Sequence, residues 1–290
     1  MNLNSSKQRI SALLLSMILI FTAACAIGRS GTESKSDSGR QEKCLYPKKQ
    51  GVTRIVTYNV GVFNKYVRND YPMIVGMMQE IAADAVCMNE LDSCTTRTGG
   101  VFQLGHVAEL MGGWDYNYGA AMPYAGGKYG IGIVSREKAV RTFSVVLEKG
   151  AGAESRVLVV SEFENFVLAT THLDHVSAEQ QLVQAATINR IMQEEYGTSD
   201  KPVFLGGDMN ATPDSETLRT LQTAWKVLTP GDATFSSRNP ESCIDYIMQL
   251  RNGVSCKVVK ARVLKEFRSG NVRDASDHLP VMLDVILPEK

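Results

Sequence analysis

Asp208 and Asn210 stand two positions apart in "FLGGDMNATPDS", residues 204–215, where an apolar run stops at two glycines. In an extended segment residues i and i+2 point the same way, so this carboxylate and carboxamide are expected side by side at a strand's C-terminal edge. Taken alone, the stretch reads equally well as a turn, because Gly, Asn and Asp are common turn formers. The same kind of polar terminus recurs along the chain. Asn59 falls at the end of "TRIVTYNV", Glu90 ends "DAVCMNE", His172 and Asp174 close "ATTHLD", Asp245 lies in "CIDYIM", and Asp277 with His278 sits in "SDHLP". Such a set suits hydrolysis of a phosphoester. Mg²⁺, with Mn²⁺ as the alternative, takes one or two carboxylates plus waters and phosphate oxygens, which Glu90 and Asp277 can supply. A carboxylate such as Asp245 can hold an imidazole such as His278 in one tautomer for proton transfer. Asn210, Asn59 and His172 can donate to the charge that grows on the phosphoryl group. His106, on a helical face, and His175, in a loop, stay outside this set.

The elements that must position these groups alternate β-rich and helical text from residue 53 onward. Strands are expected at 53–60, 84–90, 115–122, 129–135, 156–163, 165–173, in "PVFLGGD" (202–208) and at 279–287, with a hairpin over "CIDYIMQLRNGVSCKVV". Helices are expected near 71–82, 102–111, 178–195 and 213–223; Ser177 and Gln180 make a capping box for the third. Consecutive strands with short connections favour antiparallel pairing. The fold class expected is an α/β (α+β) sandwich, two packed and mainly antiparallel sheets flanked by helices, in one domain over 51–288.

The chain has 290 residues and is 44% hydrophobic, enough for a sizeable core. Residues 1–24 carry Lys7 and Arg9 and then the apolar run "ISALLLSMILIFTA", which is short for a membrane span and reads as a signal peptide. Ala23 and Ala24 before Cys25 resemble a bacterial lipobox, with Thr22 where Leu is usual; ordinary cleavage to a soluble product is the alternative. Residues 25–50 are then the lipidation site and a flexible tether, since "GRSGTESKSDSGRQEK" has almost no apolar content. The formal net charge is +0, and cleavage before Cys25 leaves 29 basic against 31 acidic residues. No global field draws such a chain onto polyanions, although a local basic groove stays open. Past Cys25, Cys44, Cys87, Cys94, Cys243 and Cys256 either form disulfides or serve as small buried hydrophobes.

In order, "TYNV", "NELD", "YGIGIVS", "TTHLDH", "GGDMNATPDS", "TFSSRNP", "IDYI" and "SDHLP" resemble the motifs of the endonuclease/exonuclease/phosphatase superfamily. That group holds pancreatic-type deoxyribonucleases, apurinic-site endonucleases, bacterial sphingomyelinases and inositol-polyphosphate 5-phosphatases. The resemblance covers 51–288. It implies that Glu90 is the metal-binding Glu, with Asn59 and Asp277 beside the metal. Asp208 and Asn210 match the pair that orients the nucleophilic water and binds the phosphate. His172 matches a transition-state-stabilising group, and Asp245 matches the partner of the catalytic His278. Asp174 falls where some members have Asn. The basic helical insertion with which apurinic endonucleases open a duplex has no counterpart.

The expected protein is a phosphoesterase of the cell envelope, lipid-anchored to a membrane or secreted, working as a monomer. Neutral charge and location favour a phospholipid or small phosphoester as substrate. The alternatives are an extracellular nuclease for nucleic-acid salvage and a non-catalytic surface binding module. Loss of Glu90, Asp208 or His278 would mark the last of these, and none is lost.

Overall fold

The computed structural model describes residues 44–289. The expected signal peptide and lipidation site lie outside the described residues. In chain order the elements are β1 (Thr53–Asn59), α1 (Tyr71–Glu80), β2 (Ala85–Ser93), α2 (Gln103–Leu110), β3 (Asp115–Tyr124), β4 (Gly127–Ser135), β5 (Arg141–Leu147) and β6 (Arg156–Glu162). There follow β7 (Val167–His172), α3 (Ala178–Tyr196), β8 (Val203–Asp208), α4 (Glu216–Ala224), β9 (Trp225–Val227), β10 (Asp245–Leu250), β11 (Lys257–Val263), α5 (Val272–Ala275) and β12 (Val281–Ile286). Two six-stranded sheets result, ordered β11-β12-β1-β2-β4-β3 and β5-β6-β7-β8-β10-β9. This is the expected α/β sandwich of mainly antiparallel sheets flanked by helices.

Each sheet holds one parallel pair among the described strands, β1 with β2 and β7 with β8. A parallel pair needs a long crossover, which α1 and α3 supply. One core cluster takes Ile55, Cys87 and Leu283 from the first sheet and Leu168, Phe204 and Ile247 from the second. The alternate residues face the helices: Val56, Tyr58, Val86 and Met88 pack with Ile74, Met77 and Met78 of α1. In the second sheet Leu158, Val160, Ala169 and Leu205 pack with Ala185, Ile188 and Met192 of α3. Strands covered on both faces must be apolar at both parities, which is why the central ones read as continuous hydrophobic runs. The two glycines of "FLGGD" fit this crowding. A Cβ on Gly206 would meet Cys87 Sγ at 3.0 Å, and one on Gly207, whose φ is +151°, would meet the Thr171 carbonyl oxygen at 2.0 Å.

The structure departs from the sequence reading at several points. The expected hairpin over 243–259 does not form, because β10 belongs to one sheet and β11 to the other. Asn252, in the supposed turn, donates to the carbonyls of Tyr196, Ser199 and Lys201. Those bonds moor the connection to the α3–β8 loop, so the chain crosses between sheets. The folded part also starts before residue 51. Tyr46 is buried and its hydroxyl donates to the Glu266 carbonyl at 2.6 Å. Fully buried Arg54 donates to Asp284 at 2.6 and 2.8 Å and to the carbonyls of Tyr46, Pro47 and Ile81. The five cysteines from Cys44 on are free; Cys87 and Cys243 are buried. Strands β5 and β9 were not legible beforehand. No helix among the described residues is long and apolar enough to cross a membrane.

Candidate active site

Register brings the polar strand ends together. Asn59 lies opposite Asn89 across β1 and β2, His172 opposite Asp208 across β7 and β8, and Asp208 opposite Asp245 across β8 and β10. Because β10 runs antiparallel to β8, its first residue arrives at the edge where β8 ends. Asp277 and His278 reach the same edge from the segment before β12. That segment is fixed by the Ser276 hydroxyl, which donates to the Asn59 carbonyl at 2.6 Å, and by the Ser237 N–H, which donates to the Asp277 carbonyl at 2.7 Å. Glu90, Asp208, Asn210, His172, Asp277 and His278 line one cleft of about 330 Å³. Phe235 and Ile244 join that lining, as do Met122, Tyr124 and Arg97.

His278 Nδ1 is 2.9 Å from Asp245 Oδ2, and its Nε2 is 3.5 Å from Asp208 Oδ2. All three side chains are buried. Burial opposes charge on His278, but Asp245 and Asp208 outweigh it and raise the imidazole well above its ordinary value. Burial likewise raises the Asp208 carboxyl, against the attraction of His278. The charged imidazole and the Asp208 carboxylate thus face each other at 3.5 Å. His172 behaves oppositely. Burial, then the Arg156 guanidinium, hold it well below the usual imidazole value, so it stays neutral. Arg156 Nη1 lies 3.3 Å from His172 Nδ1 and can only donate, which places the ring proton on Nε2, 3.5 Å from Asp208.

Asn59 Nδ2 donates to Glu90 Oε1 and to Asp208 Oδ2, each at 3.1 Å, while its Oδ1 accepts the Gly61 N–H. Asn59, expected beside the metal, turns its Nδ2 to the two carboxylates and spaces them, while its Oδ1 faces the Gly61 N–H. Glu90 sits in a bulge of β2, where pairing with β4 slips between Met88 and Leu91, and its φ of 58° turns the carboxylate into the cleft. Asp277 Oδ2 pairs with Lys65 Nζ at 2.5 Å, and its buried Oδ1 has no partner. The oxygens of Glu90 and that orphaned Asp277 Oδ1 make a hard donor set that fits Mg²⁺ or Mn²⁺. Asp208, Asp245 and His278 also place three potential ligand atoms within 4.8 Å of one another. There the bond between Asp245 and His278 already engages two of the three, so the Glu90 side suits a hard ion better.

Asn210 is reached differently from the sequence reading. β8 ends at Asp208, and Asn210 follows in a left-handed turn with φ 47°. Its N–H donates to Asp208 Oδ1 at 2.9 Å and its Nδ2 to the Leu173 carbonyl at 3.1 Å. The pair is adjacent because the carboxylate folds the chain back onto itself. Asp174 is a structural cap, its Oδ1 accepting the N–H groups of Val176 and Ser177. Asn89, Arg156, Lys65 and Ser276 were missed. Asn89 accepts the Asp208 N–H at 2.9 Å and donates to the Thr171 carbonyl at 3.1 Å, tying the sheets together under the site. Its place beside Glu90 in "NELD" was the only available signal.

The Bacteroides thetaiotaomicron mannosyl-6-phosphatase is similar in structure, with TM-score 0.64 and 20% identity over 81% of this chain and 100% of that one. The human Nocturnin catalytic domain with bound sulfate has TM-score 0.62 and 16% identity, over 83% of this chain and 97% of its own. ANGEL2, a 2',3'-cyclic phosphatase, has TM-score 0.61 and 13% identity, over 81% and 95%. These likenesses concern the fold. No curated protein matches the chain in sequence. Residues 56–278 match the Endonuclease/Exonuclease/phosphatase family, and on that match the chain belongs to this family.

Proposed function

We propose that the protein is a divalent-metal-dependent phosphoesterase acting on a small phosphoester, exported and held at the cell envelope by a lipid on Cys25. The observation that carries the catalytic part is the meeting of the Asp245–His278–Asp208 chain with the Glu90 and Asp277 oxygens in one cleft. Glu90 and Asp277 would hold the Mg²⁺, which when bound would supply positive charge to the phosphoryl oxygens. Asp208 takes up the proton that leaves the attacking water, charged His278 supplies a proton to the leaving oxygen, and Asp245 holds the imidazole with Nε2 turned toward Asp208. His172, kept neutral with its proton on Nε2, donates to the charge that grows on the phosphoryl group. Asn210 retains one amide N–H for the same purpose, and Asn59 sets the spacing of Glu90 and Asp208.

Family and fold leave the substrate to the site. A cleft of about 330 Å³ with one apolar wall at Phe235 and Ile244 suits a small molecule. The test is hydrolysis of plasmid DNA, sphingomyelin, inositol phosphates and bis-p-nitrophenyl phosphate by the purified protein, with Mg²⁺ and with EDTA. Mg²⁺-dependent turnover of a small phosphoester supports the proposal. Preferential cleavage of DNA would replace it with the nuclease reading, and no turnover of any of the four would reject it.

A further inference from the structure

Beside the catalytic cleft lies a second depression of about 280 Å³, lined by Asn64, Arg68, Asn69, Thr96, Arg97 and Thr98 and by no acidic residue. Arg97 also lines the catalytic cleft, so the two spaces meet at this residue. That group is rigidly built in. Its Nε and Nη2 donate to Asp92 at 2.6 and 2.8 Å, and fully buried Asp92 also accepts the hydroxyls of Thr95 and Thr98. The Tyr124 ring lies 4.3 Å from the guanidinium carbon. The Nη1 edge is engaged by no group among the described residues. Arg68 is exposed and has no ion-pair partner among them either.

A pair that only neutralised Asp92 would need neither the free edge nor a second, unpaired arginine on the same depression. Arg97 lines the same cleft as Glu90, so the depression opens beside the metal carboxylate, within reach of one small molecule. A preorganised guanidinium edge, a second guanidinium and neutral amide and hydroxyl groups form a donor-rich lining suited to a phosphate. We propose that Arg97 and Arg68 form a second phosphate-binding subsite, and that the substrate is a small phosphoester bearing another phosphate on the part that is released. This deepens the phosphoesterase proposal and rests on it.

The test is calorimetric titration of the wild-type protein with Mg²⁺, using α,ω-alkane bisphosphonates and the alkyl monophosphonates of equal length, whose P–C bonds resist hydrolysis. The bisphosphonate of fitting length should bind about tenfold tighter or more than its monophosphonate, the scale of a charge-assisted contact. Arg68→Ala, at an exposed position outside the catalytic cleft, should erase most of that advantage while monophosphonate affinity stays unchanged, and Arg97→Lys, which keeps a cation on Asp92, should erase most of it as well. Equal affinity of the two ligands, or an advantage that survives both substitutions, would overturn the subsite while leaving the phosphoesterase proposal standing. Failure of the wild-type protein to bind either ligand would overturn both.

Discussion

Replacing Asp245 with Asn removes a charge from the catalytic chain while keeping its volume, so the effect falls on His278 and not on packing. At the 2.9 Å separation, an ion pair in an effective dielectric of about 20 gains about 6 kcal/mol. Desolvation of two buried groups offsets much of this, and removing one partner of such a pair typically costs about 3–5 kcal/mol. The catalytic loss should be roughly 10²–10⁴ in kcat, the range for disabling a positioned acid or base. The pH dependence carries a sign. Although burial opposes it, Asp245 and Asp208 raise His278 in the fold from 6.5 to about 10. A raised group stabilises fully below its unfolded value and loses that contribution as pH rises through its folded one. The stability gap between wild type and Asp245→Asn should therefore be widest near about pH 6 and shrink toward about pH 10. Urea unfolding at both pH values measures this, and hydrolysis of bis-p-nitrophenyl phosphate measures kcat. In the double variant with His278→Ala, the kcat loss should exceed that of the worse single variant only slightly, because the two act as a unit. Full additivity, or a stability gap independent of pH, would refute the dyad.

Glu90→Gln should weaken Mg²⁺ binding measured by calorimetry and lower kcat by roughly 10² or more; unaltered binding at limiting Mg²⁺ would remove Glu90 from the metal site. His172→Gln should lower kcat by about 10²–10³, the cost of losing one charge-stabilising donor. Because burial and Arg156 keep His172 neutral, that variant should leave the acid limb of the pH–rate profile in place, and a shifted limb would show that His172 titrates in catalysis. Asn89→Ala orphans the Asp208 N–H and the Thr171 carbonyl and should cost about 1–3 kcal/mol in denaturant unfolding for each buried group left unpaired. Cys25→Ser should move the protein from the membrane fraction to the soluble one with kcat unchanged, and retention in the membrane would refute the lipid anchor.

Much of the site was legible because its chemistry is carried by residue types that seldom end strands together. Glu90, Asp208, His172, Asp245 and the Asp277–His278 pair stood out as polar groups closing apolar runs, and alternation of strands and helices gave the sandwich. The groups that hold them were not legible. Arg156 opens an ordinary strand, and only the fold sets it beside His172 to fix that ring's tautomer. Lys65 and Ser276 lie in loops whose course is set by packing against other segments.

The sequence by itself determined which strands are buried and which side chains can bind a hard cation or move a proton, since periodicity and ionisation are local properties. It also suggested the wrong geometry for Asp208 and Asn210. An extended i, i+2 relation was the local default, yet the Asn210 N–H bond to Asp208 and the left-handed backbone override it. Only the tertiary structure decided that β10 and β11 part to different sheets, that Asp245 starts its strand where β8 ends, and that Asn59 separates two carboxylates. Each depends on register between segments as much as 219 residues apart, as from Asn59 to His278, and no local pattern encodes such a register. It follows from burying both faces of the central strands at once.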